Sequence, residues 1–191
     1  MNRRQIILDI LYLDASDWGP IEFAYLNIKD EVNRIDRVWE EWAARADISY
    51  IPILLDLLYN PPRPGEIEID AKDFRVAVAG RIGMIASLIP NEVIPIICPL
   101  VNDRLIRDAI IVAFMFTEGY NYLSCLDEVI NRIQELDEYE QADLVSAIKN
   151  TADPKCMEIL KQIEQLIPKE REWVHKTILE SYEIIRKYHN H

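Results

Sequence analysis

Glycine is scarce in this chain, with 5 residues in 191 against 10 prolines. A fold of many short strands needs glycine-bearing turns, so the shortage argues against an all-strand architecture and leaves helices as the main alternative. Cysteine is as sparse. Cys98, Cys125 and Cys156 are widely spaced, no CxxC joins them, and the only histidines, His175, His189 and His191, lie towards one end. That pattern suits neither a metal site nor a thiol catalyst; it reads as three small, reduced core side chains in a reducing compartment. Basic charge is also short: 21 Lys and Arg face 33 Asp and Glu, a formal net charge of -12. Such a field repels phosphate backbones and anionic headgroups, so neither nucleic acid nor a membrane surface is an expected partner, whereas a basic protein would be attracted.

Long apolar runs are missing too. Crossing a bilayer takes about 20 apolar residues. The nearest approach is EVIPIICPLVNDRLIRDAIIVAFMF, residues 92–116, where Asn102 and Asp103 interrupt the first run and Glu118 follows the second. The start, MNRRQIILDILYLD, places Arg3 and Arg4 before an apolar stretch, but Asp9 and Asp14 break it and no small-residue cleavage motif follows. A cytoplasmic protein is the expectation. Catalytic signatures are absent as well: there is no HExxH, GxSxG, P-loop, dinucleotide fingerprint or EF-hand loop. GRIG at 80–83 falls inside an apolar helical pattern rather than after a strand, and reads as close helix packing. No catalytic residue, metal or cofactor is expected, and an enzyme is the less favoured class.

Apolar residues at steps of three and four are abundant. They predict helices over 3–14, 31–45 and 48–58, then from Asp73 to Pro90, over 92–101, 104–117, 120–133, 138–149 and 154–166, and from Pro168 to the end. Pro95 is expected near a first turn, and Pro99 to bend or end its helix. Trp173, Ile178, Leu179, Tyr182 and Ile185 form the expected inward stripe of the last helix. Residues 59–73, YNPPRPGEIEIDAKD, form the longest irregular loop. The helix over 104–117 is apolar on more than one face, which predicts cover from more than one direction.

Internal periodicity is present. RVAVAG at 75, RDAIIV at 107 and EQADLV at 140 superpose with Ala77, Ala109 and Ala142 in register, 32 and 33 residues apart. Second helices align through Ile51, Ile94, Leu123 and Cys156. ISYIPILLDLL (48–58), NEVIPIICPLV (91–101) and NTADPKCMEILKQI (150–163) resemble the second helix of HEAT-type repeats, and NDRLIRDAIIVAFM (102–115) resembles the first. The resemblance covers residues 34–166, with 168–191 as a C-terminal capping helix. It implies an all-α fold: one domain over 1–191, an irregular HEAT-like superhelix of about ten helices with helical caps. Unit lengths are irregular, and Phe114 and Phe116 stand where smaller residues are usual. It also implies that Arg107 and Asp108 lie where such proteins link successive units by polar contacts.

The function expected on these grounds is non-catalytic protein binding through an acidic surface. Glu128, Glu135, Asp137, Glu138, Tyr139, Glu140 and Asp143 cluster with Arg132 as the one base among them, and Glu66, Glu68 and Asp70 add charge in the long loop. One alternative is a neutralising, immunity-type protein for a basic toxin. The resemblance supplies another, an enzyme such as a bilin lyase or a DNA-base glycosylase. For a ligand pocket the candidates are Arg104, Glu118, Tyr120 and Tyr122, with Trp42 and Tyr50 edging a groove.

Overall fold

A computed structural model describes residues 48–63, 71–117, 119–151 and 153–189. The helices predicted over 3–14 and 31–45, the loop acids Glu66, Glu68 and Asp70, and Trp42 and Glu118 lie outside the described residues. All regular structure among the described residues is helical: α1 (Ile51–Tyr59), α2 (Ala71–Leu88), α3 (Pro90–Ile97), α4 (Arg107–Met115), α5 (Leu123–Asn131), α6 (Glu138–Asn150), α7 (Cys156–Leu166) and α8 (Glu172–His189). Short 3-10 turns occupy Ile48–Tyr50, Cys98–Asn102 and Ile133–Glu135. Among the described residues no helix is long and apolar enough to cross a membrane. The chain divides into two compact units, Met1–Val78 and Ala79–His191, with the boundary inside α2.

In the first unit, Ile51, Leu54, Leu57 and Leu58 form the buried stripe of α1, and Pro52 stands in its first turn, where a missing amide hydrogen is harmless. Arg75 Nη1 of α2 donates to the Leu58 carbonyl at 3.2 Å, tying the two helices together.

The second unit holds the larger core. Alternate helices lie side by side, α4 along α6 and α6 along α8, while α7 packs on α6 and α8, and α5 on the 3-10 turn Cys98–Asn102. Six consecutive residues of α4, Ala109 to Phe114, are buried, because α6, the Cys98–Asn102 turn and the C-terminal half of α2 all cover it. Gly83 permits the last of these contacts: a Cβ there would lie 2.6 Å from Phe116 Cβ and collide with the Ala113 carbonyl oxygen. The sequence reading of GRIG as a packing motif therefore agrees with the structure.

The C-terminal end of α4 is closed by side chains. Thr117 Oγ1 donates to the Ala113 carbonyl (2.9 Å), Asn150 Nδ2 to Met115 (2.6 Å) and Ser87 Oγ to Phe116 (2.8 Å). The Tyr122 hydroxyl shares its proton between the carbonyls of Phe114 (2.9 Å) and Ala147 (2.8 Å). Four carbonyls at this helix terminus thus each receive a side-chain donor, those of Ala113 and Phe114 in addition to the backbone amides of Phe116 and Thr117. Tyr122 is buried and its ring stacks on Phe114 at 4.7 Å. It is a core residue, which corrects its candidacy for a ligand pocket. Tyr122→Phe should lower stability by about 1–3 kcal/mol, the penalty for a buried carbonyl left without its donor, measured as a shift in urea midpoint at constant slope.

Several sequence expectations are corrected. Helix α3 begins at Pro90 rather than Glu92, which puts Pro95 inside the helix instead of near its first turn. At Cys98 the chain tightens into the 3-10 turn containing Pro99, where the sequence predicts a bend or an end. Helix α4 starts at Arg107 rather than Arg104, since Asp103 Oδ1 accepts from the Leu105 amide (3.0 Å) and holds a turn first. Cys98 and Cys125 form a disulfide across Cα atoms 5.0 Å apart, so they are not the reduced core thiols expected from composition. Cys156 is free and buried as expected, and burial raises its thiol pKa. On α8 the inward stripe is Val174, Ile178, Ser181, Tyr182 and Ile185, whereas Trp173 and Leu179 point outward. Both fall on helix faces more than about 100° from the centre of that stripe.

Candidate interaction surface

The turns before α4, α6 and α8 lie next to one another at one end of the second unit. Arg107 Nη2, at the start of α4, meets Glu140 Oε1 of α6 at 2.8 Å, and Nε meets the same oxygen at 3.1 Å. Arg171 Nη1, just before α8, donates to the Leu136 carbonyl at 3.0 Å, and Gln134 Nε2 donates to the Leu166 carbonyl at 3.4 Å. These bonds hold the three turns in one edge.

Local chemistry fixes α6 within that edge. Asp137 is the N-cap, its Oδ1 accepting the Glu140 amide at 2.9 Å, while Glu140 Oε2 accepts the Asp137 amide at 3.2 Å. This reciprocal capping box satisfies two amide donors that the helix start leaves open. Its sequence signal, Asp-x-x-Glu over 137–140, is plain, but reading all these acids as one solvated patch obscures it. Arg132 bridges Glu135 with Nε at 3.0 Å and Nη2 close by, and approaches Glu128 at 3.9 Å. The Arg132 hydrogen bond holds the Glu135 carboxyl below the usual carboxylate range, and the Arg132, Arg104 and Arg107 charges add to the effect.

The predicted partner-binding residues therefore separate into two groups. Asp137 and Glu140 are engaged in the cap, Glu140 also in the Arg107 pair, and Glu128 and Glu135 attend Arg132. Asp143 is half-buried. Glu138 and Tyr139 face outward to different degrees, Glu138 half-exposed and Tyr139 59% exposed. Tyr139 meets Trp173 edge to face, ring centroids 5.2 Å apart, and Trp173 is itself 46% exposed. Leu105 (72% exposed) lies in the turn before α4, and Leu166 (43%) is the last residue of α7. Large apolar side chains exposed on neighbouring turns mark a contact surface more often than isolated ones do.

A recess lined by Asn102, Arg107, Glu128, Val129, Arg132 and Leu136 has a volume of about 10 Å³, the size of one water. Of the suggested pocket residues Arg104, Glu118 and Tyr120, Glu118 lies outside the described residues. Arg104 precedes α4 and Tyr120 follows it, so the 9 residues of that helix, a length of roughly 13 Å, separate the two described members. Tyr120 instead donates its hydroxyl to Asn91 Oδ1 at 3.0 Å. Tyr50 is half-buried in the first unit. Among the described residues no cluster of His, Cys, Asp and Glu is suited to hold a metal. No protein-family model matches the chain, and neither a curated protein nor a solved structure matches it.

Proposed function

We propose that this chain is a non-catalytic protein-interaction module that docks a protein partner through the edge formed by the turns before α4, α6 and α8. The single observation that carries the reading is the Tyr139–Trp173 pair, two large rings left in water at the starts of adjacent helices. Buried sites lie one residue on from Trp173, at Val174, and two on from Tyr139, at Gln141, yet the rings are held outside. The acidic balance of the chain favours a basic partner.

An irregular solenoid of the HEAT-like kind is the architecture that fits this use. Support comes from the side-by-side order of α4, α6 and α8, and from Arg107 and Glu140, which pair across helices at a sequence offset of 33. The same offset relates Ala109 to Ala142, both buried at helix contacts.

The test is affinity capture from the source cell with the wild-type chain and with Trp173→Ala, each at low and high salt, followed by mass spectrometry. One stoichiometric protein retained by the wild type and lost with Trp173→Ala is the expected result. Equal recovery by both forms, or a tightly held small molecule with no protein, would overturn the reading.

A further inference from the structure

We infer that the Tyr139–Trp173 pair is a seat for a guanidinium group, so that the segment docking on this edge carries an arginine at its centre. This rests on the docking reading above and specifies its partner. Arg107 is held by Glu140, Arg132 by Glu135, and Arg171 donates to the Leu136 carbonyl. The carboxylates of Glu128, Glu135, Asp137 and Glu140 serve those arginines or the cap of α6. By contrast, Glu138 and Glu172, each adjacent in sequence to one of the two rings, make no side-chain hydrogen bond or ion pair among the described residues.

Uncommitted negative charge thus lies one residue from each exposed ring, at the half-buried Glu138 and the exposed Glu172. An aromatic face attracts a cation, and nearby carboxylates strengthen that attraction and give the cation hydrogen-bond acceptors. A guanidinium matches better than an ammonium, because it is flat, stacks on an indole or phenol face and forks two N–H groups towards a carboxylate. An anionic occupant is opposed. The first turns of α6 and α8 would attract one through their helix dipoles, but Glu138 and Glu172 occupy those turns. Lys169 and Arg104 also remain exposed nearby. They limit how many cations the edge accepts, which favours one central arginine over a long basic run. Leu105 and Leu166 offer apolar contacts on either side.

The test uses three synthetic peptides of sequence Ac-Ala-Leu-Xaa-Leu-Ala-amide, with Xaa as arginine, citrulline or lysine, titrated into the full chain. The readout is the Trp173 indole N–H resonance, assigned by its loss in Trp173→Leu. The arginine peptide should shift that resonance saturably. Citrulline, uncharged but of the same shape, should bind roughly tenfold more weakly, with lysine between them. The double variant Glu138→Gln/Glu172→Gln should weaken arginine binding while lowering the melting temperature by only a few degrees, the cost of removing two first-turn acids. Equal binding of arginine and citrulline, or no saturable shift, overturns the inference. If cellular capture still depends on Trp173 in that case, docking on this edge survives and only its cationic specificity falls. If capture is indifferent to Trp173, the docking reading itself fails.

Discussion

Gly83→Ala should lower the stability of the second unit by about 1–3 kcal/mol or more, and Gly80→Ala should leave it unchanged or raise it by about 0.5–1 kcal/mol. The two glycines lie one turn apart on α2 and both face Phe116, so composition alone would rank them together. Geometry separates them. At Gly80 an added methyl meets the edge of the Phe116 ring at 3.6 Å, ordinary contact, and alanine restricts the unfolded chain. At Gly83 the same methyl meets a backbone carbonyl and a Cβ, neither of which can rotate away. The cost would be a displacement of α4 from α2, and with it the bonds between them, Ser87 Oγ to the Phe116 carbonyl and Thr117 Oγ1 to the Gly83 carbonyl. Chemical denaturation of the two single variants beside the wild type measures the difference. Equal midpoints for both would contradict the packing described here.

Reduction of Cys98–Cys125 should have an effect of similar or greater size. The bond closes a sequence separation of 27, and the loss of that constraint on the unfolded chain corresponds to about 3–4 kcal/mol, on the order of 10 °C in a domain of this size. It fastens the Cys98–Asn102 turn to α5, the two elements that pack on one another beside α4. Thermal melts with and without a phosphine reductant check the prediction, and Cys125→Ser should remove the difference. The companion measurement is a thiol count on denatured, unreduced protein, expected to give one free thiol, that of Cys156. Three free thiols and a melt indifferent to reductant would overturn the prediction. They would agree instead with the reducing, cytoplasmic setting that composition suggests, because disulfides persist chiefly in oxidising compartments.

Features carried by short-range pattern were legible in the sequence. The helical character of 48–58, 104–117, 138–149 and 154–166 follows from apolar spacing, with ends displaced by a few residues where turns compete. The all-round apolarity of α4 correctly predicts cover from several sides, and GRIG correctly predicts close approach. What eluded the sequence depends on partners distant along the chain. Nothing local to Cys98 or Cys125 announces their union, although aligning Ile94 with Leu123 already sets the two segments side by side. Glu140 looks like one more surface acid until Arg107 arrives from 33 positions away. Trp173 reads as core because it is a large apolar residue at the start of an amphipathic helix. Its rotation relative to Val174 and Ile178 decides otherwise.

The closure of α4 has a mechanical consequence. Ser87, Thr117, Tyr122 and Asn150 come from different parts of the chain, and each clasps one carbonyl at the same helix terminus. No one of those parts can shift without breaking a bond held by another, so that pole of the unit behaves as a hub. At the opposite pole three neighbouring turns are joined through longer side chains, Arg107 to Glu140, Arg171 to the Leu136 carbonyl and Gln134 to the Leu166 carbonyl. If a partner docks on that edge as proposed, it meets side-chain bonds between turns, whereas the hub lies at the far end of α4.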